Sequence, residues 1–409
     1  MTETIPYWKS NRFLKSFVRQ TGDNACIVCM DENLKLSMKR APPPLRNPAV
    51  VPSPQKRHAV SNQKQKPDVL MNVLDGALQA VEKYRKFKAW TESPPPPPLE
   101  KVAEKVTGTA LDAKTESFDI QDIPGTMKAL GRPIAAKALE RWFEGSLNYS
   151  PDEASAKKEL NQEGHAFPPG MIDTKLITLE WAMSYTRAKV ARDMLVNDLV
   201  FNTAALRVLR PILKRHLNES LHSTWMNCNG DIQKLHKEYQ FQLTAVEGTV
   251  AQKVSQYIHQ EFSERGIPDE LNMTLGSFVL YAAVARAVFT RDSGGTRATV
   301  TNIYVYIKDS FTFTDPSDAP SQYLGHWNKS SIAIVPSHVA SVVSGQRWIE
   351  HPVWKAPLKG DFDLLYPVKN SDFRDWQKKT KRGGDYIIYS DAEAVLLRTP
   401  IEIFIPHEK

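Results

Sequence analysis

The chain has 409 residues, with 53 Lys and Arg against 46 Asp and Glu, a net charge of +7, and 41% hydrophobic and 24% charged residues. That balance excludes a wholly disordered or collagen-like chain and leaves room for two or three folded units. The mild basic excess is compatible with a nucleic-acid partner without indicating one strongly, and three cysteines exclude a disulfide framework and fit a reducing compartment.

Residues 1–40 are basic and aromatic, with Tyr7, Trp8, Phe13 and Phe17 among Lys9, Arg12, Lys15 and Arg19. The spacing of Phe13 and Phe17 suits one face of a short helix. No apolar core of signal-peptide length is visible near the N-terminus, so no conventional signal peptide is predicted. No stretch reaches the roughly 18 apolar residues of a membrane span, so no transmembrane segment is predicted. Cys26 and Cys29 form a CxxC pair, but a structural zinc site needs four ligands. No second pair accompanies them, so no metal is predicted.

Residues 41–67 are proline-rich and poor in apolar side chains, as in a linker. Over 69–90, Leu70, Val73, Leu74, Ala77, Leu78, Val81, Tyr84 and Trp90 recur at helical spacing and predict one amphipathic helix. Pro94 to Pro98 then predict a stiff polyproline spacer. Residues 1–110 together read as a flexible leader.

Residues 111–229 read as mainly helical. Pro133 suits a first helical turn ahead of the helix formers Ala135 to Phe143. A polar loop covers 150–169. Leu176, Leu179, Met183, Ala188, Ala191, Leu195 and Leu199 predict one long helix, and Pro211 predicts a break or kink within Ala204 to Leu217. Val246, Val250, Val254, Ile258 and Phe262, spaced by four, predict a helix across 232–265 that Gly266 and Pro268 close.

Beyond residue 270 the period changes to two. Strands are predicted around Val300 to Ile307, from Ser331 to Val335, Asp363 to Leu365, Tyr386 to Tyr389 and Val395 to Ile405, with a turn at Gly294 and Gly295. A helix from Asn370 or Ser371 should run to the basic end Lys378 to Arg382 and stop at Gly383 and Gly384. Residues 230–409 therefore read as an α+β domain with a mainly antiparallel sheet, and the chain as α+β.

No HExxH, GxSxG, Walker or GxGxxG motif occurs. The densest polar and aromatic stretch, 309–331, carries Asp309, Asp315, Asp318, Tyr323, His326 and Trp327. A second cluster holds Arg374, Lys378, Lys379, Lys381, Arg382 and Asp385. Brought together, His326 would be a base, Arg374 an anion clamp and Asp385 an orienting carboxylate. Lys378, Lys379, Lys381 and Arg382 would bind phosphate. No cofactor is indicated.

The stretches VTNIYVYIKDSFTFTD, SQYLGHWNK and VKNSDFRDWQKKTKRGGDYIIYSDAEAVLL resemble a bacterial family of unknown function often encoded beside type VI secretion spike and PAAR-tip genes. They lie in the last third of the chain, and the resemblance supplies no catalytic residues. It implies a cargo-like antibacterial effector with its activity in the C-terminal domain. Such a protein is cytoplasmic in the producing cell and is delivered without a signal peptide, with a spike or PAAR-tip protein as carrier and an immunity protein as antidote. Two alternatives stay open: a non-enzymatic adaptor of the secretion apparatus, and a membrane-acting toxin using Phe278 to Phe289.

Overall fold

A computed structural model of the chain describes residues 7–10, 16–21, 24–31, 36–46, 118–218, 223–246, 268–315, 321–330, 332–333, 353–358 and 361–407. The amphipathic helix expected over 69–90, the polyproline spacer 94–98 and the stripe from Val250 to Phe262 lie outside the described residues. So do the side chains of the Cys26–Cys29 pair and of His326.

Ten α-helices occur among the described residues: α1 (Ile123–Ala129), α2 (Pro133–Glu144), α3 (Glu153–Lys157), α4 (Leu179–Met183), α5 (Thr186–Asn197), α6 (Thr203–Lys214), α7 (Thr224–Asn227), α8 (Ile232–Tyr239), α9 (Glu270–Leu275) and α10 (Asn370–Thr380). The starts are written in the sequence. Pro133 opens α2. Thr178, Asn202, Ser223, Asp231 and Asp269 each accept a first-turn backbone N–H with their side chains, each cap contributing about 1 kcal/mol.

The strands are β1 (Tyr7–Ser10), β2 (Ser16–Thr21), β3 (Asn24–Asp31), β4 (Ile172–Asp173), β5 (Gln240–Val246), β6 (Phe278–Arg291), β7 (Gly295–Phe311), β8 (Tyr323–Trp327), β9 (Ile332–Ala333), β10 (Val353–Leu358), β11 (Asp361–Lys369), β12 (Tyr386–Tyr389) and β13 (Glu393–Pro406). One sheet runs β1-β2-β3-β10-β11-β8-β9, all antiparallel. The other is centred on β7. Strand β6 lines one edge of β7, with β5 beyond it. Strands β13 and β12 share the other edge, and β4 adds to β12 in parallel. The fold is α+β with a mostly antiparallel sheet.

In β7 the buried positions change phase, from Ala298 and Val300 to Ile303, Val305 and Ile307. In β6 they change from Leu280, Ala282 and Val284 to Ala287. A double register shift lies between: Val284 faces Ile303, Arg286 faces Asn302 and Ala287 faces Val300. Each strand carries one extra residue there, which returns both apolar sets to the same side.

One apolar cluster joins the helices to the sheet, from Phe118 to Ile405. Trp142 of α2 packs edge-on against Phe313 at 5.0 Å and Phe373 at 5.4 Å between ring centroids. Phe313 stacks on Phe373 at 3.8 Å. Residues on both sides of position 230 thus bury one another. Phe278 to Phe289 lies in β6, within this core, and no helix among the described residues is long and apolar enough to cross a membrane.

Several elements differ from the sequence reading. The helix expected across 176–199 is two helices. Ser184 closes α4 by donating its hydroxyl to the Trp181 carbonyl at 2.6 Å, and Tyr185 is extended; a serine that serves the backbone in this way competes with helix continuation. Helix α6 runs through Pro211 without ending there. Pro211 sits in the last turn, and both it and Arg207, whose carbonyl loses its donor, are exposed, so water can replace the bond. Within the helix expected across 232–265, Ile232–Tyr239 is helix α8, but Gln240–Val246 is strand β5 because β6 offers it a partner edge. Phe17 lies in β2, opposite Val28, not in a helix. The cap of α10 is the Lys369 N–H donating to Asp372 Oδ2 at 2.7 Å, and Lys381, in a left-handed conformation, ends it before Gly383.

Residues 36–46 form a strap on the folded unit. Ser37 pairs with Asp119 as a parallel bridge. Ser37 N–H donates to the Phe118 carbonyl and Ile120 N–H to the Ser37 carbonyl, both at 2.9 Å. Arg46 N–H donates to the Glu144 carbonyl at 3.0 Å, and Leu36 and Met38 pack against the core.

Gly295 tests the β6–β7 turn. A Cβ there would lie 2.4 Å from the Ile405 carbonyl oxygen and 2.9 Å from Pro406 Cα, whereas one at Gly294 would meet nothing closer than 3.6 Å. Gly295→Ala should lower stability by about 1–3 kcal/mol and Gly294→Ala by much less, read as denaturant midpoints of the two variants.

Candidate functional site

The structure brings together two of the three residues expected to form a catalytic unit. Asp385, fully buried, precedes β12, and Arg374 lies on α10. The Asp385 carboxylate accepts from Arg374 Nη1 at 3.0 Å and Nη2 at 2.7 Å, Trp142 Nε1 at 2.9 Å and Thr312 Oγ1 at 2.6 Å. Arg374 also donates to Gln377 Oε1 at 2.7 Å and Thr314 Oγ1 at 2.6 Å, and lies over the Tyr149 ring. With four donors on two oxygens, this carboxylate is a structural joint with no lone pair to spare for a histidine. The backbone of His326 sits in β8 between Pro367 and Ala333.

The basic run is mostly engaged elsewhere. Lys379 Nζ donates to the Met38 carbonyl at 2.7 Å and Arg382 Nη2 to the Pro43 carbonyl at 2.8 Å, so both hold the strap. Lys381 closes α10. Lys378 is exposed beside Asp375 at 3.5 Å.

A different constellation carries more chemistry. The register of the central sheet sets Tyr281 of β6 opposite Tyr306 of β7, and Lys308 of β7 opposite Tyr389 of β12. All four share one face, because Tyr306 and Lys308 are two apart in a strand. Helix α8 lays His236 across them. Its ring meets Tyr281 edge-on at 4.8 Å, Tyr306 at 5.9 Å and Tyr389 at 6.1 Å. His236 Nδ1 is 2.9 Å from the Tyr306 hydroxyl and Nε2 is 3.2 Å from Lys308 Nζ. Lys308 is ion-paired with Glu159 from the loop after α3.

Burial first, and Lys308 second, push the His236 pKa down to about 4. The imidazole is therefore neutral at pH 7. An ammonium has only donors, so Nε2 accepts from Lys308 and the proton resides on Nδ1, which donates to Tyr306. Burial raises the Tyr306 and Tyr389 phenols well above their usual range, so both stay protonated. The result is a neutral, oriented imidazole beside an ammonium at a half-buried position, a weak base while Lys308 caps Nε2 and a stronger one when that charge is neutralised. Among the described residues, no group of three or more His, Cys, Asp or Glu could hold a metal ion. Cys228 is buried, and burial pushes its thiol up to about 11, so it is inert at neutral pH.

On the opposite side of β7, burial raises the Asp309 carboxyl to about 7, against one Ser310 backbone hydrogen bond that lowers it. The residue as a whole keeps some exposure while its carboxyl group is covered.

Asp385→Ala would leave Arg374 and the Trp142 N–H buried without their acceptor and should cost about 3–5 kcal/mol in chemical denaturation. Lys378→Ala should cost under about 0.5 kcal/mol. The two shifted groups act in opposite directions with pH. Asp309, raised in the fold, contributes stability below its unfolded pKa near 3.8 that is lost as pH rises through about 7. His236, depressed in the fold, lowers stability as pH falls from 6.5 through about 4. In thermal unfolding across this range, Asp309→Asn should gain on wild type mainly at pH 8, and His236→Gln mainly at pH 4. Each gain should be at most a few kcal/mol, at about 1.4 kcal/mol per pKa unit.

A family model described as a family of unknown function (DUF6402) matches residues 118–405. No curated protein and no solved structure matches the chain. The matched range begins and ends where the apolar cluster does, at Phe118 and Ile405, and it takes in the helical residues that the sequence reading set apart. The chain belongs to this family of unknown function.

Proposed function

We propose that the chain is an antibacterial effector, delivered by a type VI secretion apparatus, whose folded unit acts on a target-cell component with His236 as general base. The observation that carries the chemical half of this reading is the His236 arrangement: a neutral imidazole with Nδ1 held by Tyr306 and Nε2 facing Lys308. Hydrolysis and group transfer both use a base of this kind. The delivery half rests on the resemblance of the last third of the chain to proteins encoded beside spike and PAAR-tip genes, and such a role calls for an immunity protein in the producer.

The strap favours a second reading, an adaptor of the secretion apparatus. Lys379, Arg382 and Asp119 hold residues 36–46 against the folded unit, as a protein that presents its leader to a carrier would need. A membrane-acting toxin finds less support, since Phe278 to Phe289 would have to leave the sheet core.

The test is growth of a laboratory bacterium expressing the full chain, retained in the cytoplasm or exported to the periplasm, beside His236→Gln. Growth arrest in one compartment, relieved by a substitution that removes about 10²–10⁴-fold of a general base's effect, is the expected outcome. Arrest that His236→Gln leaves intact would remove His236 from the mechanism. Normal growth with folded protein would move the assignment to the adaptor.

A further inference from the structure

Glu159 stands where chain geometry favours glycine. It directly follows the C-cap of α3 with φ +56°, a left-handed conformation that costs an L-residue about 1 kcal/mol or more. The turn uses only its backbone: the Glu159 N–H donates to the Ala156 carbonyl and its own carbonyl accepts from Phe167 N–H, both at 3.1 Å. A glycine would make the same bonds with less strain. What glycine lacks is the carboxylate, and that group is the ion-pair partner of Lys308.

The surroundings of this carboxylate fit an oxyanion. Lys308 supplies the charge, and the Lys308 Nζ also lies over the Tyr389 ring at 5.9 Å. Burial raises the Tyr281 and Tyr389 phenols most, and the Glu159 charge adds to both, after Asp309 in the case of Tyr281, so two protonated phenols lie within its field. Lys308 is 15% exposed and Glu159 32%. The open side of the pair is therefore the carboxylate, on a loop, while the ammonium is anchored on a central strand.

We propose that Glu159 is a built-in stand-in for the oxyanion of the substrate, a phosphate or carboxylate group that displaces it from Lys308. The inference rests on the reading of His236 as the base and names what the same site holds. In the unliganded state Lys308 occupies the lone pair of His236 Nε2 at 3.2 Å. An oxyanion that replaces the Glu159 carboxylate on Lys308 therefore binds beside His236, whose Nδ1–H stays on Tyr306. Binding the anion sets the substrate next to the base.

The measurement is calorimetric titration of the purified full-length protein at pH 7.5 with inorganic phosphate and, separately, acetate. Glu159→Gln, which removes the charge, and Glu159→Gly, which also relieves the turn, should each bind one of the two anions about 10-fold tighter than wild type, about 1.4 kcal/mol. Lys308→Gln in the Glu159→Gln background should abolish that binding, with folding checked by circular dichroism. The anion that gains more identifies the substrate group. Equal affinities in wild type and both Glu159 variants, or binding that survives Lys308→Gln, would overturn the proposal. Tighter binding without growth arrest would uphold the oxyanion site and remove the effector reading; arrest relieved by His236→Gln without any tightening would overturn the site's occupant and leave the base.

Discussion

The Asp385 carboxylate is the constraint around which the folded unit is assembled. A buried carboxylate left without donors costs several kcal/mol, and removing one partner of a buried pair is strongly destabilising. Asp385 meets this requirement with Trp142 from α2, Thr312 directly after β7 and Arg374 from α10. Two of those segments are distant from Asp385 in sequence, so satisfying the charge requires α2 and the chain after β7 to meet α10. The neighbouring backbone is adapted to it. Gly384 N–H donates to the Trp142 carbonyl at 2.9 Å. Gly383, at φ +92°, has a Trp142 ring atom 2.9 Å from where a Cβ would be. The aromatic group of Trp142, Phe143, Phe313, Phe373 and Trp376 then excludes water from the pair, which strengthens every bond inside it.

Much of this fold could be read from the chain because local signals agree with tertiary ones. The alternation in 300–307, the apolar block Tyr386 to Tyr389 and the Pro133 start each specify the element observed. Misreadings occurred where a partner overrode a local pattern. Val246 fits both a four-residue stripe and a two-residue alternation with Thr244, and only the edge of β6 decides between them. The break at Ser184 depends on one hydroxyl that chooses the backbone.

The candidate site was hardly legible. Arg374 and Asp385 could be paired because eleven positions separate them around one helix end, yet their saturation by Trp142 and Thr312 involves residues 243 and 73 positions from Asp385. The His236 constellation needs the register of three strands: Tyr281 faces Tyr306, and Lys308 faces Tyr389, across gaps in sequence that no short motif spans. The one local trace was Tyr306 and Lys308 at a spacing of two. Glu159 gives no trace at all, since a left-handed glutamate is visible only in the backbone.

The strap has a mechanical meaning. Fully extended, residues 47–117 could separate their ends by up to roughly 250 Å at about 3.5 Å per residue. The bridge between Ser37 and Asp119 instead fixes the start of the strap beside the start of the folded unit, with Ser37 N–H 2.9 Å from the Phe118 carbonyl. Both ends of that stretch, at Arg46 and at Phe118, are thereby held on one body. Strand β3, paired with β10, and the strap both tie the chain ahead of residue 47 to the folded unit, so a pull from that side is shared between two sets of hydrogen bonds rather than borne by one.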